Sequence, residues 1–314
     1  MTTKKNILVT GGAGNVGSAL VEALIEDANN FVVVVDNLLT GSRTKLPKAP
    51  NDNLKFIHCD VNIEDQITSV FHTFAFDYVF HYAALVGVKR TLENPISVLE
   101  DISGIKHILN LSKNTGVKRV IYSSSSEVYG EPVEYPQNEE TTPLNSRLPY
   151  AIVKNIGEAF LKSYQQEFSL DYTIFRFFNT YGPKQAKDFV ISKFISLALK
   201  NEAIPIYGDG SQTRTFCYID NNINASLAAA FSEVGKNKTI NIGNNVETAV
   251  LDLAKTIIKL TDSKSEIKHL PALEEGDMTR RNPDITIMKS LLNQEIYSLE
   301  DGLKKVLQET SFIL

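Results

Sequence analysis

Cysteine is scarce in this chain, with 2 among 314 residues. Cys59 and Cys217 cannot build a disulfide framework and form no Cys-x-x-Cys pair, so a reducing compartment, the cytoplasm, is expected. His58, Cys59 and Asp60 are consecutive, but neighbours on a strand face opposite ways, so no metal site is expected. Long apolar runs are also missing. No stretch approaches the ~20 apolar residues of a membrane span. The apolar run after Lys4 and Lys5 is too brief for a signal peptide. Positive charge is nowhere concentrated: 32 Lys and Arg stand against 37 Asp and Glu, for a formal net charge of −5. That excludes the basic patch of a nucleic-acid-binding protein. There is no internal repeat. What remains is an ordinary globular composition, long enough for one large core or two joined lobes.

The most informative stretch is Asn6 to Asp36, NILVTGGAGNVGSALVEALIEDANNFVVVVD. A short apolar run enters a glycine-rich corner. Val16, Ala19, Leu20, Ala23 and Leu24 then recur at helical spacing, and a β-branched run ends at Asp36. This is strand, loop, helix, strand: one βαβ unit. Gly11 permits a tight turn, Gly14 lets the backbone approach a pyrophosphate, and Gly17 lets the helix lie close to the sheet. The helix start at Asn15 and Val16 directs N–H groups and a positive dipole at phosphates. Asp36 stands where a carboxylate accepts from the adenosine ribose, with Asn37 beside it. An acid there repels a 2′-phosphate, so NAD is favoured over NADP; Arg43 is a weak counter-signal.

Downstream, a polar excursion runs to Asn53. Leu54–His58 reads as a third strand, followed by Cys59-Asp60-Val61. Two uses of Asp60 stay open: contact with the adenine, or the N-cap of a helix from Ile63. Tyr78–Phe80 is a fourth strand, after which Ala83 and Ala84 leave room for a cofactor. Leu92–Thr115 reads as one long helix stopped by Gly116. Lys118–Tyr122 is a fifth strand. It runs into four serines, Ser123 to Ser126, and Glu127, at the sheet edge where such folds place chemistry. Glu131–Leu148 is a polar flap. Pro149 opens a helix to about Phe168 that Ala151, Gly157 and Ala159 keep slim. Asp171–Phe177 is a sixth strand. Beyond Asn179, helices with short strands predominate: 190–200, 204–207, 219–234, 239–242 and 250–260. Residues 1–178 are therefore expected to bind the dinucleotide, and 179–314 to form mainly a substrate lobe with some returns to the core.

Tyr150 and Lys154 are four apart and share a helical face. A neighbouring ammonium and a cationic nicotinamide both favour the phenolate, so Tyr150 can serve as a base near neutral pH. Lys154 can also hold the nicotinamide ribose, and Ser125 can align the reacting hydroxyl.

Together these segments resemble the extended short-chain dehydrogenase/reductase family of nucleotide-sugar epimerases, dehydratases and decarboxylases, almost end to end. TGGAGNVG is similar to its glycine loop, SSSSEVYG to its serine segment with the catalytic hydroxyl on Ser125, and Tyr150/Lys154 to its YxxxK pair. RFFNTYGP, IYGDGSQTRTFCYI and GDMTRRNPDI resemble its substrate-lobe segments. The resemblance implies an α/β fold, a Rossmann-type doubly wound seven-stranded parallel sheet with a smaller C-terminal lobe. It also implies tightly held NAD and a homodimer joined through the helices around 92–115 and 150–168. It implies that Tyr150 removes a proton from a sugar hydroxyl, usually at C4, and that Asn179 and Arg214 contact the diphosphate. An Arg fork suits phosphate oxygens. The chain departs from the family at Asn15, usually aromatic; at Lys89, often proline; and at Asp101, usually asparagine.

The fate of the 4-keto sugar stays open. A 4-epimerase returns the hydride and does not need Glu127. A 4,6-dehydratase needs an acid and a base; Ser126-Glu127 stands where its Asp-Glu pair is usual, and the GDP-mannose type uses Ser-Glu. A uronate decarboxylase needs a cation for the C6 carboxylate, and Arg281 in RRNPD resembles the arginine of its RKPD-like stretch. A solvated Arg280–Arg281 pair beside Asp277 and Asp284 is the bland alternative. The chain is also broadly similar to a 4-dehydrogenase acting on GDP-heptose in capsule synthesis. A non-catalytic NAD-binding sensor is the competing class, against which both Tyr150 and Lys154 argue.

Overall fold

Four consecutive valines, Val32 to Val35, have no exposed surface. An unbroken apolar run of this kind belongs to a strand covered on both faces, as in a parallel sheet. The computed structural model describes residues 4–48, 51–131, 133–271 and 280–313, apart from the side chains of residues 88 and 89. Asp277 and the side chain of Lys89 lie outside the described residues. The strands are β1 (Lys5–Thr10), β2 (Asn30–Asp36), β3 (Leu54–His58), β4 (Tyr78–His81), β5 (Arg119–Ser125) and β6 (Asp171–Phe177). Their order is β6-β5-β4-β1-β2-β3, and each of these neighbours pairs in parallel. A seventh strand, Lys238–Ile242, lies beyond β6. The chain builds outward from β1 in one direction and from β4 in the other. The switch point therefore lies between β1 and β4, where open α/β sheets receive ligands.

The helices are α1 (Asn15–Ile25), α2 (Glu64–Thr73), α3 (Val88–Glu93), α4 (Pro95–Thr115) and α5 (Pro149–Phe168). One core cluster packs Leu8, Val33 and Val79 of the sheet with Ile67 and Phe71 of α2, Ile105 and Ile108 of α4, and Val153 and Leu161 of α5. α4 lies along α5, where the Tyr164 hydroxyl donates to Asn110 Oδ1 at 2.7 Å. Gly157 is needed here: a Cβ would stand 2.3 Å from the Tyr122 hydroxyl.

Three expectations are corrected. Residues 92–115 are not one helix, because α3 ends at Glu93 and α4 starts at Pro95. Pro95 has no N–H to continue a ladder and restricts Asn94, but it suits a first helical position. Asp60 does not cap α2, whose N-cap residue is Ile63 without a side-chain bond. The helix after Tyr218 ends at Ala230 rather than Val234. Also, the short strand expected at 239–242 beyond Asn179 joins the central sheet.

By contacts the chain divides into two units. The first comprises residues 1–128, 146–177 and 223–240; the second comprises 129–145, 178–222 and 241–314. In the second, helices Val190–Leu199 and Leu299–Gln308 both lie against Val250–Leu260. Around them are two-stranded ribbons. Ile204–Tyr207 pairs in parallel with Ile267–Leu270, and Thr213–Thr215 pairs antiparallel with Glu247–Ala249. No described helix is long and apolar enough to cross a membrane.

A buried charge pair ties α5 to β6. Arg176 donates from Nε to Glu158 Oε1 at 2.9 Å and from Nη2 to Oε2 at 2.7 Å, and the Ser124 hydroxyl donates to Oε1 at 2.6 Å. Both charged side chains are at most 2% exposed. Removing Arg176 leaves the buried Glu158 carboxylate without its forked partner, with the Ser124 hydroxyl and the half-exposed Lys162, 4.0 Å away, as weaker company. Arg176→Met is expected to lower unfolding free energy by about 3–5 kcal/mol, measured by urea denaturation. Glu158→Gln added to Arg176→Met should recover part of that loss.

Candidate active site

The corner after β1 is closed by backbone. Gly11 has φ +67° and donates its N–H to Val35 O at 2.8 Å. A Cβ on Gly17 would stand 2.3 Å from Gly11 O and 2.8 Å from Gly12 Cα. Gly14 is the N-cap residue of α1, and its N–H donates to Gly11 O at 3.1 Å. Helix α1 has neither a side-chain cap nor an acid in its first turn. The N–H groups at Asn15 and Val16, both half-buried, thus face an anion-attracting helix end.

Asp36 is buried at the end of β2. Its Oδ2 accepts from Ala13 N at 2.9 Å and its Oδ1 from Leu38 N at 2.8 Å. A carboxylate offers about four acceptor positions, which leaves room for ribose hydroxyls. Arg43 is held elsewhere, its guanidinium 4.7 Å from the Phe56 ring centre. Asn37 Nδ2 donates to Asp60 Oδ2 at 2.9 Å, and Asn62 N donates to Asp60 Oδ1 at 2.9 Å. Asp60 therefore organises its own turn and the Asn37 amide, with Val61 buried next to it. Across the switch point, Thr10 Oγ1 accepts from Tyr82 N and Ala83 N, each at 3.1 Å. This fixes the half-buried Ala83 and Ala84 beside the corner. The glycine cradle, the open helix end and the buried acid fit a dinucleotide with a free adenosine ribose.

On β5 successive side chains alternate, so Ser123 and Ser125 share one face and Ser124 takes the other. Lys154, 3% exposed, donates to Ser123 O at 2.6 Å and approaches Ser123 Oγ at 3.4 Å. Its Nζ lies 5.7 Å from the Tyr150 ring centre and 5.0 Å from that of Tyr122. Burial lowers the Lys154 pKa to about 8, against the opposing pull of Asp101. Tyr150 is half-buried. Ser125 Oγ accepts from Glu127 N at 3.2 Å, which shapes the turn Ser126–Tyr129. Ser126 is buried and Glu127 half-buried.

Asn179, Arg214 and Arg281 belong to the second unit. Asn179 Nδ2 is buried and makes no hydrogen bond among the described residues. Arg214 donates from Nη1 to Thr213 O at 2.7 Å. Arg281 is buried. Of the solvated-pair alternative, Arg280 is indeed exposed, though bound to Glu247, whereas Arg281 is buried rather than solvated; Asp284 accepts from Thr286 and Asn138.

Two groups around Lys154 received no role from the sequence, although Asp101 stood out there as a departure. His81 is buried, its Nδ1 2.8 Å from Thr10 Oγ1; burial, reinforced by the Lys154 charge, lowers its pKa to about 3. Asp101 on α4 accepts from Leu85 N at 2.8 Å and Asn62 Nδ2 at 3.2 Å, and burial raises its pKa. The available signal for Asp101 was an acid at a position usually held by an amide. Among the described residues no cluster of His, Cys, Asp and Glu could hold a metal. Gly17→Ala is expected to abolish NAD binding, because the new methyl meets backbone rather than a movable side chain; intrinsic fluorescence or calorimetric titration with NAD reads this out.

Residues 7–243 match the model of the NAD-dependent epimerase/dehydratase family. The chain is 36% identical over 321 residues to a UDP-N-acetyl-alpha-D-glucosaminuronate decarboxylase of Bacillus cytotoxicus, covering 97% of each chain. It is 35% identical over 314 residues to UDP-glucuronic acid decarboxylase 1 of Danio rerio, covering 97% of this chain and 72% of that protein. Among solved structures it resembles a UDP-glucose 4-epimerase of Thermotoga maritima crystallised with UDP-glucose. There the TM-score is 0.90 and the identity 34%, over 97% of this chain and 98% of the other. The glycine corner, buried Asp36 and the Tyr150–Lys154 helix thus stand in a chain that belongs to the NAD-dependent epimerase/dehydratase family.

Proposed function

We propose that the protein oxidises C4 of a nucleoside-diphosphate sugar and works through the 4-keto species. The observation that carries this reading is Lys154, a buried ammonium anchored on Ser123 O one helical turn from Tyr150. Its charge favours the phenolate of Tyr150, which takes the proton of the C4 hydroxyl. Ser125 aligns that hydroxyl. NAD, held by Gly11, Gly14, Gly17, Asn15, Val16, Asp36, Asn37, Asp60, Val61, Ala83 and Ala84, supplies the acceptor for the hydride that leaves C4. Lys154 has three N–H donors, and those not used on Ser123 hold the nicotinamide ribose. Asn179 and Arg214 take the diphosphate, supported by the unclaimed buried amide of Asn179.

The relatives named above act on uridine-linked sugars, which supports UDP over a guanosine carrier such as GDP-heptose. For the fate of the ketone, 4-epimerisation or release as a 4-dehydrogenase product requires nothing beyond this set. Decarboxylation of a UDP-uronate is the second reading. It is favoured by the buried Arg281, a cation suited to a C6 carboxylate. Dehydration would use Glu127 as acid or base. We extend this reading to a role in surface-polysaccharide sugar synthesis in the cytoplasm. Burial pushes Cys59 to about 11 and Cys217 to about 12, so both thiols stay protonated. A homodimer through α4 and α5 is supported by the exposure of Ile96 and Leu99 on one helix and Ile152 and Phe168 on the other.

Incubation with UDP-glucose, UDP-glucuronate, UDP-N-acetylglucosamine and GDP-heptose, followed by product mass, tests the reading. An inverted sugar of unchanged mass marks an epimerase, loss of carbon dioxide a decarboxylase, loss of water a dehydratase, and loss of two hydrogens a dehydrogenase. Turnover of none of them favours a sensor. Tyr150→Phe is expected to reduce kcat by at least ~100-fold, the scale of general-base catalysis, while NAD binding persists. Because its pKa is lowered, Lys154 keeps its proton below about pH 8 and loses it above. The rate as kcat/KM should therefore fall on the alkaline side near pH 8, and Lys154→Met should be slow with that limb removed.

A further inference from the structure

Glu247 has no part in the roles assigned so far. It opens the strand Glu247–Ala249 in the second unit, and its side chain is 19% exposed. Three side chains converge on its carboxylate. Arg280 donates from Nε to both oxygens at 2.9 Å and from Nη2 to Oε1 at 2.6 Å. Asn282 Nδ2 donates to Oε1 at 2.7 Å, and Thr213 Oγ1 to Oε2 at 2.9 Å. The Arg280 guanidinium also lies 4.3 Å from the Tyr135 ring centre. The arginine beside it holds the Glu247 carboxyl at about 2, so it is charged at any working pH. A solvated pair such as Lys304–Glu300, with both side chains half-exposed, is worth little. Glu247 instead makes a forked, charge-assisted contact with two further donors, which fixes geometry as well as energy.

The three partners share a pattern. Thr213 precedes Arg214, and Arg280 and Asn282 bracket Arg281. Thr213 and Glu247 lie on one face of the antiparallel ribbon, in which Arg214 is paired with Thr248. Side chains alternate along extended backbone, so Arg214 takes the other face. Arg281 is likewise buried between two residues that reach Glu247. One carboxylate therefore joins the segment carrying Arg214 to the segment carrying Arg281, and leaves both arginines out of its own grasp.

We propose that Glu247 is a positioning residue that ties the segment carrying Arg214 to the segment carrying Arg281, so that Arg214 meets the diphosphate of an anionic substrate. The proposal rests on the reading of Arg214 as a diphosphate contact. The NAD-loaded protein is titrated with UDP in a calorimeter, as wild type, Glu247→Gln, Arg214→Met and the double variant. Glu247→Gln is expected to weaken UDP about tenfold, the scale seen when a supporting partner of a ligating group is lost, and to leave NAD affinity within about twofold. In the Arg214→Met background it should add nothing. Arg280→Met should reproduce the effect of Glu247→Gln, and carries the test if Glu247→Gln does not fold. Unchanged UDP affinity in Glu247→Gln, beside a loss in Arg214→Met, overturns the positioning role alone. Losses that multiply in the double variant also overturn it, because they mark a route that bypasses Arg214. If wild type and Arg214→Met bind UDP equally, or neither binds, the diphosphate assignment itself fails and the proposal falls with it.

Discussion

A buried ammonium must find an acceptor, and much of the first unit is arranged around that need. Lys154 meets it at the carbonyl of Ser123, 2.6 Å away. The bond pins α5 to the carboxyl end of β5, the same sheet edge that carries the glycine corner. Tyr150 and Ser125 inherit their places from this bond: one lies a helical turn before Lys154, the other two residues past Ser123 on the same strand face. The buried Glu158–Arg176–Ser124 group reinforces it from the next turn of α5. Charge inside the core costs desolvation, so such contacts fix geometry more than they add stability.

Around Lys154 the protein balances its charge with few groups. His81 is held neutral by burial and by the Lys154 charge, so it adds no second cation. Asp101 offers a carboxylate whose oxygens accept from Leu85 N and Asn62 Nδ2. In the second unit Arg280 is neutralised by Glu247, while the neighbouring Arg281 lies buried and apart from that carboxylate.

Much of this was legible in the sequence because it is local. Runs such as Val32–Val35 and the i,i+4 placement of Tyr150 and Lys154 carry their meaning within a few residues. The misreadings lie where meaning is not local. The expected helix 92–115 reads on through Asn94–Pro95, and only backbone chemistry separates α3 from α4. The expected returns to the core could not be assigned by pattern either: the segment at 239–242 has the composition of any short strand, and its place beside β6 is decided by partners some 65 residues away, as Tyr172 and Asn237 show. Asp60 looked like a cap, yet its oxygens serve Asn37 and Asn62. The Glu247 contacts join residues 33 to 35 positions apart, a relation that no spacing rule anticipates.

The two units also differ in how the chain is threaded. It crosses from one to the other at five places: after Val128, Asn145, Phe177, Asn222 and Ile240. Arg119 marks one return, donating to the carbonyls of Ala229, Ala230 and Ser232 within the first unit. The protein is therefore not two cassettes joined end to end. Neither unit can be copied, transplanted or cleaved away as a single continuous piece. Two of the three segments of the second unit, 129–145 and 178–222, leave the first unit and return to it, so a change of length in either has to keep both of its ends in place.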